Sequence, residues 1–419
     1  MSSNILQRQR RASYQPKATP ALAPKLRFPE FRGAEEWQIK TFEKLFTVGN
    51  GRDYKHLSLG DVPVYGSGGY MLSVDDYLYE GDSVCIGRKG TINNPMFLTG
   101  RFWTVDTLFY THSFKECLPQ FIFSIFLQID WLKHNEAGGV PSLSKTNIEK
   151  IKTAVPTPAE QQKIAECLSS VDEVIAAQAR KLDALKTHKK GLMQQLFPRE
   201  GETQPRLRFP EFEDKGKWEV KQFSELCDIK HGYAFESGFF NNEGDYVLLT
   251  PGNFNEQGGY RDRGELQKYF TGEIPPDYVL TKDDMLVAMT EQAAGLLGSP
   301  ILVPEPDKFL HNQRLGLVVK RPGVVWANEF FFHIFNTQRV RKAIHDTASG
   351  AKVRHTSPTK IGDVAVSVPT ALPEQQRIAA CLSTLDDLLA AETQKLAALK
   401  THKRGLMQQL FPSPEEAEA

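Results

Sequence analysis

Apolar residues recur along two segments of the chain at spacings that alternate between four and three positions. In each segment eight of the ten positions are apolar, and the polar exceptions are Gln178 and Lys189 in the first and Glu392 and Lys403 in the second. This spacing is typical of the narrow seam of a coiled coil, whereas a globular helix carries a broader apolar face. The predicted seam residues are Ile164, Leu168, Val171, Ile175, Leu182, Leu185, Leu192 and Leu196, with Ile378, Leu382, Leu385, Leu389, Leu396, Leu399, Leu406 and Leu410.

Each seam segment is framed by prolines that suit the start and the end of one long helix. Pro158 and Pro373 precede the segments, where proline favours a helix start, and Pro198 and Pro412 follow them. Over the 39 residues that end at these last prolines, 27 aligned pairs are identical, which indicates a duplication. Two equal helices separated by a domain most simply pair antiparallel around a pseudo-two-fold axis. The central polar positions either set the register or are solvated breaks in a loose seam.

The duplication extends beyond the helices to the ends of the intervening segments. The sequence KLRFPEF at 25–31 returns as RLRFPEF at 206–212, and Trp37 and Trp218 follow at the same distance. Ahead of each helix a Ser, an Ile and a Val-Pro pair also recur, at a constant offset of 213. The stretches between these ends show little similarity. The chain is therefore predicted to alternate two variable modules with two helices.

Strand and helix patterns predict that each module is α+β. Strand–turn–strand patterns occupy 77–86 and 278–289, and aromatic-rich helical stretches occupy 119–132 and 327–344. The expected fold class is α+β, with two such modules alternating with two long helices that pair as an antiparallel coiled coil in a pseudo-two-fold internal repeat. The predicted segments are a flexible basic tail at 1–24, a first module at 25–157, a first helix at 158–198, a linker with the second module at 199–372, a second helix at 373–412 and an acidic tail at 413–419.

Composition favours a binding protein over an enzyme. The formal net charge is zero, which argues against a bulk polyelectrolyte binder but allows a local basic face. The five Cys contain no CxxC, no apolar run approaches a membrane span and no apolar leader opens the chain, so a cytoplasmic protein is expected. The sequence has no phosphate-binding loop, HExxH or zinc spacing. We therefore expect no metal, no cofactor and no catalytic residue.

Several loops combine basic residues with side-chain amides, as nucleic-acid-binding surfaces do. Arg and Lys can bind guanine O6 and N7, Asn can bind adenine N6 and N7, and basic runs suit phosphates. For any one of these residues an ordinary solvated loop is the simpler explanation. The candidates are Arg88, Lys89, Asn93, Asn94, Arg101 and Lys145 in the first module, and Asn253, Asn255, Arg261, Arg263, Asn312, Gln313, Arg314, Lys352 and Arg354 in the second.

The order of these segments resembles that of one known family. The first module leads into the helix start PTPAEQQKIAECLSSVDEVI, RLRFPEF opens the second module, and LPEQQRIAACLSTLDDLL begins the second helix. The repeated EQQxIAxCL and RFPEF…W motifs are the specific parts. From Leu26 to Pro412 the chain resembles the DNA-specificity subunit of type I restriction–modification systems.

The resemblance implies that each module is a target-recognition domain that reads one half of a split, asymmetric site in double-stranded DNA. The helices would act as a spacer, and the repeated segments would dock two copies of a DNA methylase subunit, which supplies the S-adenosylmethionine chemistry. A restriction (motor) subunit would join through the methylase. The chain itself would catalyse nothing and need no cofactor.

The residues alone leave three other functions open. The main alternative is a non-catalytic coiled-coil adaptor whose two modules bind protein or carbohydrate. A regulatory DNA-binding protein that acts without a methylase is another, and an enzyme with an unrecognised site is the third. DNA binding with and without a methylase distinguishes them.

Overall fold

The computed structural model describes residues 22–350 and 353–412, which form two units. The first unit combines the chain up to Ala179 with the segment from Lys395 onward, and the second unit comprises Arg180–Gln394. Because both boundaries fall inside long helices, each unit contains the start of one helix and the end of the other. The predicted acidic tail, most of the predicted basic tail and the candidate Lys352 lie outside the described residues.

Two helices of 39 residues each span Pro158–Leu196 and Leu372–Leu410. A proline stands in the first turn of each, where its missing amide proton would have no partner in any case. Another proline follows each helix and cannot continue it. All sixteen predicted seam residues are buried or half-buried, and so are the four polar positions that interrupt the seam. A continuous stripe along each helix is therefore shielded from solvent.

Ion pairs join the two long helices within each unit. In the second unit, Lys181 pairs with Glu392, and Lys189, two turns later, pairs with Asp386, which precedes Glu392 in the chain. These helix segments therefore run antiparallel. Partly exposed pairs of this kind contribute modestly to stability, but they fix which turns face each other. The pairs are Lys403 with Asp172 at 2.6 Å in the first unit, and Lys181 with Glu392 and Lys189 with Asp386 in the second.

The first unit contains an antiparallel strand pair and two four-stranded sheets, with short helices around them. The strand pair joins the beginning of the module to its end, immediately before the long helix. In sheet order, the elements are Gln38–Thr41 with Lys152–Val155; Thr47–Asn50, Leu108–His112, Ser83–Gly87 and Met96–Leu98; Gly69–Val74, Leu59–Gly66, Arg101–Thr104 and Tyr79–Glu80; the helices Phe42–Leu45, Pro119–Phe126 and Lys145–Lys150; and the 3-10 helices Pro29–Phe31 and Trp131–His134.

The second unit has a similar plan with a five-stranded second sheet. In sheet order, its elements are Glu219–Gln222 with Ala365–Val368; Cys227–His231, Leu315–Lys320, Met285–Ala288 and Pro300–Leu302; Phe240–Asn241, Tyr269–Phe270, Tyr246–Leu248, Phe309–Leu310 and Val279–Leu280; the helices Phe223–Leu226, Asn328–Phe335, Gln338–Asp346 and Pro358–Gly362; and the 3-10 helices Pro210–Phe212, Ser237–Phe239, Pro251–Asn253, Gly264–Leu266 and Pro276–Tyr278.

The structure refines two of the predicted elements. The 327–344 stretch forms two helices, because the Thr337 hydroxyl accepts the Val340 amide and starts a new helix. The two strands within each predicted strand–turn–strand stretch, 77–86 and 278–289, belong to different sheets. Each of these stretches therefore crosses from one sheet to the other.

The middle of each module contains a four-stranded sheet of the same design, although the two sequences show little similarity. The sheets have the same strand order and the same antiparallel pairings. Gly87 pairs with Leu108 at the end of one central strand, and Ala288 pairs with Leu315 at the corresponding place. This correspondence aligns the two four-stranded sheets residue by residue.

The core of each unit is built around a tryptophan, and the Phe that follows the end of a long helix packs on it. In the first unit the rings of Trp37 and Phe411 lie 6.0 Å apart, and Phe411 stacks on Phe121 at 5.4 Å. In the second unit Trp218 and Phe197 lie 6.5 Å apart. Burying such aromatic side chains is a main source of stability. Each unit thus depends on the end of the helix that starts in the other unit.

Candidate nucleic-acid interface

A buried ion pair fastens the first module to the start of its long helix. Arg27 donates from Nε and Nη2 to the two carboxylate oxygens of Glu160, at 2.8 and 2.7 Å. The indole Nε1 of Trp37 donates to the same carboxylate at 3.3 Å, and the Glu160 side chain is only 1% exposed. Hydrogen bonding to Glu160 raises the pKa of Arg27. A bidentate contact between planar groups fixes orientation as well as distance, so the helix start orients the module.

The second unit repeats this clamp with the equivalent residues. Arg208 donates to both carboxylate oxygens of Glu374 at 2.7 and 2.8 Å, and Trp218 donates to Oε1 at 2.9 Å. The neighbouring glutamines also correspond, since Gln161 and Gln375 each bond backbone groups just before the module's aromatic helix and at the module's end. The repeated EQQ motif therefore holds module and helix together in both units.

Three segments of the first unit meet at the end of the four-stranded sheet that contains the strand Ser83–Gly87. We name this place the first corner, formed by residues 87–90, 107 and 141–143. The Arg88 amide donates to Thr107 O at 2.8 Å, and Arg88 O accepts the Leu143 amide at 2.9 Å. The Gly90 amide donates to Pro141 O at 2.9 Å. Backbone bonds alone thus connect a strand end, a turn and a hairpin.

The second unit has the same corner, formed by residues 288–291, 314 and 354–356. The Met289 amide donates to Arg314 O at 3.1 Å, and Met289 O accepts the Thr356 amide at 2.9 Å. The Glu291 amide donates to Arg354 O at 2.9 Å. Isolated bridges occur at equivalent positions, between Lys89 and Ser142 in the first corner and between Thr290 and His355 in the second.

The two corners carry positive charge on different segments. In the first corner Arg88 and Lys89 are exposed on the strand end. Their counterparts Met289 and Thr290 are buried in the second corner. There, Arg314 and Arg354 are exposed on the other two segments, where the first corner has Thr107 and Pro141. The candidates Arg88, Lys89, Arg314 and Arg354 therefore converge on one structural feature.

The other first-unit candidates lie away from this convergence or are already paired. Asn93 and Asn94 are exposed on the loop that leaves the first corner. Arg101 forms an ion pair with Glu80 at 3.1 Å and lies over the Tyr77 ring. Lys145 is half-buried and pairs with Glu149 at 3.6 Å.

Two predicted amide contacts of the second unit point into the protein. Asn253 is fully buried, and its side chain accepts the Thr250 amide at 3.0 Å and donates to Gln267 at 2.8 Å. Asn312 is also buried and accepts the Arg314 amide at 3.2 Å. Burial with satisfied hydrogen bonds argues against the prediction that these two residues contact bases, and instead assigns them to holding loops in place.

The remaining second-unit candidates occupy exposed turns. Gln313 is exposed beside Arg314. Asn255 is exposed and donates to Tyr260 O at 3.2 Å. Arg261 donates twice to Gly252 O, at 3.1 and 2.8 Å, and the half-buried Arg263 packs on the same glycine. These arginines order the 252–263 loop and keep further donors free for a ligand.

The sequence analysis missed several residues of the corners. His355 is exposed at the second corner, and its Nδ1 lies 3.2 Å from the Thr290 hydroxyl. Val140 and Val353 are exposed at equivalent positions of the two hairpins. No sequence signal marks these residues, because the corners are defined by backbone bonds between distant segments.

Exposed apolar residues elsewhere occur at equivalent positions of the duplication. The pairs are Leu26 with Leu207, Ile39 with Val220, and Val174 with Leu388.

No helix in the described ranges is both long and apolar enough to cross a membrane. Residues 22–350 and 353–412 likewise contain no cluster of three or more His, Cys, Asp or Glu that could hold a metal ion.

Fold and corners together define an α+β protein with two related domains and two long helices. A family model described as the type I restriction modification DNA specificity domain matches residues 34–187 and 215–401. The chain belongs to this family of type I restriction–modification specificity subunits, which are non-catalytic DNA-recognition subunits that assemble with methylase and restriction subunits. The family and the α+β fold class predicted from the sequence are thereby confirmed.

Relatives and solved structures agree with this assignment. The chain is 24% identical over 337 residues to the type I restriction enzyme MjaVIII specificity subunit of Methanocaldococcus jannaschii, covering 78% of this chain and 75% of that protein. It is 29% identical over 170 residues to the EcoBI specificity subunit of Escherichia coli, covering 40% and 32%. The type I S subunit structure from M. genitalium has a TM-score of 0.60 at 14% identity and covers 94% of this chain and 100% of that one. A structure from work on complex assembly and conformational transition of the type I system has a TM-score of 0.53 at 15% identity, covering 90% and 98%.

Proposed function

We propose that this chain reads a split, asymmetric site in double-stranded DNA, with one half-site bound at the corner of each unit. The observation that carries the proposal is that both corners share one backbone frame but differ in their side chains. A shared frame would approach DNA in the same way in both units. Different side chains would read different bases, so the two half-sites are expected to differ in sequence.

The chemistry of the corners suits DNA. Arg88 and Lys89 in the first corner, and Arg314 in the second, are exposed and form no ion pair among the described residues. Unpaired cations on a rigid backbone can bind guanine O6 and N7 or phosphate oxygens. Arg354 lies 3.2 Å from His345 Nδ1, which orients its guanidinium and leaves other donors available.

The long helices suit the part of a spacer. A 39-residue helix is about 58 Å long, which exceeds the ~34 Å of one turn of B-DNA. The shielded stripe and the ion pairs within each unit support the proposal that the helices pair as an antiparallel coiled coil. Their length would then set the number of unread base pairs between the half-sites.

The duplicated surface supports docking of two copies of a methylase subunit. An identical partner that binds twice needs the same surface twice, and the repetition of exposed apolar residues at equivalent positions agrees with this. The restriction subunit would then be recruited through the methylase. The S-adenosylmethionine chemistry would come from the methylase, in agreement with a chain that is not an enzyme.

The test is a comparison of DNA methylation in cells that express the cognate methylase with and without this chain. We expect one split, asymmetric motif to become methylated only when both proteins are present, as read by single-molecule sequencing. The methylase alone is the control, and the double variant Arg88→Ala with Lys89→Ala should lose the motif. If no motif became methylated with both proteins present and the assembled complex did not bind DNA, the proposal would be overturned and an adaptor favoured.

A further inference from the structure

The hairpin at 136–142 of the first unit projects between two clefts. The Glu136 amide donates to Ser142 O at 3.0 Å, which closes the hairpin at its base. At its tip, a Cβ atom on Gly138 or Gly139 would meet no atom within 4 Å. Val140 beside them is 56% exposed. The tip is therefore narrow, open and apolar, and no described residue of the first unit packs over its two glycines.

Both clefts beside the hairpin are basic. One cleft, of about 490 Å³, is lined by Arg88 and Lys89 together with Val140 and its neighbours. The other, of about 410 Å³, is lined by Lys133, His134, Asn135, Glu136, Asn147, Lys150, Ile151 and Lys152. Its three lysines are exposed and form no ion pair within the described part of the chain. Positive charge thus lies on both sides of one apolar tip.

The single carboxylate that lines the second cleft has a structural task. Glu136 Oε1 accepts the Ser144 hydroxyl at 2.6 Å and also accepts the side-chain amide of Asn147. These bonds tie the hairpin to the helix Lys145–Lys150. The carboxylate is thus bound by neutral donors, which leaves the lysines of this cleft available to an anion.

We propose that this hairpin enters a groove of the first half-site, with a bordering phosphate backbone held by the lysines of the second cleft and with Arg88 and Lys89 of the other cleft beside the base edges. The inference rests on the proposed function and adds which element enters the DNA. The major groove of B-DNA, ~12 Å wide, admits a two-stranded ribbon, and apolar side chains contact the methyl group of thymine there. Val140 is then a further specificity-determining contact beside Arg88 and Lys89, while Lys133, Lys150 and Lys152 bind phosphate.

The second unit keeps the valine but lacks two of the lysines. Val353 stands at the position of Val140. Asp363 and Ala365 replace Lys150 and Lys152, as the matching strand pairings Thr41 with Lys152 and Gln222 with Ala365 establish. Binding at the second half-site is therefore expected to depend less on salt concentration than binding at the first.

The phosphate part is tested with the double variant Lys133→Ala and Lys150→Ala in the full chain assembled with its methylase. Each lost phosphate contact reduces the slope of log K against log salt by about 0.9, so the slope should fall by roughly 2. Base preference should stay unchanged. Lys55→Ala, an exposed lysine of the same unit outside both clefts, is the control and should leave the slope unchanged. Equal slopes for the double variant and wild type would overturn the inference.

The base-reading part is tested with Val140→Ala and with DNA in which each thymine of the first half-site is replaced by uracil. A lost methyl contact should weaken wild-type binding about three- to five-fold at one position, and the variant should be insensitive to that replacement. Leu59→Ala, at a more exposed apolar residue of the same unit, is the control. An equal effect of Val140→Ala on both half-sites, or none, would refute groove entry. If Arg88→Ala with Lys89→Ala still abolished the first half-site, the proposed function would survive that result.

Discussion

The two units build the same corner from dissimilar sequences and place their cations on different parts of it. The first corner carries Arg88 and Lys89 on the end of a strand, and the second carries Arg314 and Arg354 on a turn and a hairpin. The helix clamps below the corners are alike, down to the hydrogen-bonded atoms. Identity is thus concentrated where module meets helix, and variation where a ligand would be read.

Different physical constraints act on the clamps and on the corners. A buried Arg–Glu–Trp cluster tolerates little change, because removing one member leaves a buried charge or donor without its partner. The corner is held by backbone hydrogen bonds, which do not depend on the side chains that the corner presents. Its side chains can therefore change freely without loss of the frame.

The largest expected effect is loss of one clamp. Glu160→Ala leaves the Arg27 guanidinium and the Trp37 indole without their acceptor and should destabilise the first unit by about 3–5 kcal/mol. Hydrogen exchange followed by mass spectrometry should show the loss of protection mainly in the first unit. Glu374→Ala should have the same effect on the second.

The control replaces both charged partners, as Arg27→Met with Glu160→Met. Because this removes the unpaired charge, it should recover part of the lost stability. Equal loss of protection in both units from Glu160→Ala alone would show that the clamps do not act unit by unit.

The next largest effect is expected when residues are exchanged between the corners. Arg88→Met with Lys89→Thr gives the first corner the residues that the second has at Met289 and Thr290. Each lost base contact is worth roughly 1–3 kcal/mol, so binding of the first half-site should weaken about 10- to 100-fold. Arg314→Thr gives the second corner the residue of Thr107 and should affect only the second half-site.

Competition binding with duplexes that carry one altered half-site measures both effects. Lys55→Ala serves as the charge control in the first unit. A change in the second half-site caused by the Arg88 and Lys89 variant would contradict separate readout by the two corners.

The duplicated parts of the fold were predictable from the sequence because their chemistry left identical residues. The seam spacing predicted both long helices, and the repeated EQQ and RFPEF…W motifs contain Glu160, Glu374 and the two clamp tryptophans. Their hydrogen bonds to each other were not predicted. Neither was the common four-stranded sheet of the middles, because its equivalence lies in strand order and pairing.

The candidate site was predictable only in part. Exposed basic residues such as Arg88 and Arg314 were found from their residue type, but their convergence required the backbone bonds of the corners. Asn253 was predicted to contact bases, but its side chain caps the 3-10 turn Pro251–Asn253 and does not face solvent. A Thr-Pro-Gly-Asn run is a local turn signal that could have warned of this. The lysines of the second cleft were missed because they lie on separate elements.

The smallest effect concerns one buried position that differs between the units. His333 lies in the core of the second unit, with its Nε2 3.5 Å from the Ser383 hydroxyl. The matching helix of the first unit has Ser124 there, as judged from the equivalent core residues Phe121 and Phe330. Burial, together with the charge of Lys189, lowers the pKa of His333 to about 3. The two units should therefore respond differently to acid.

The sign follows from which state binds the proton. Below pH 6.5, the approximate pKa of histidine in the unfolded chain, the unfolded state binds a proton at His333, whereas the folded state binds it only near pH 3. The free energy of unfolding therefore falls as the pH falls from about 6.5 towards 3. At pH 5.5 the loss is about 1.4 kcal/mol. His333→Gln should remove this part of the pH dependence in peptides of the second unit, as measured by hydrogen exchange between pH 7.5 and 5.5. The buried His311, whose pKa is also lowered, adds a loss of the same sign that the variant retains. His188→Gln, at an exposed histidine of the same unit, is the control and should leave the pH dependence of protection unchanged. If His333→Gln also left this pH dependence unchanged, the buried imidazole would not distinguish the units.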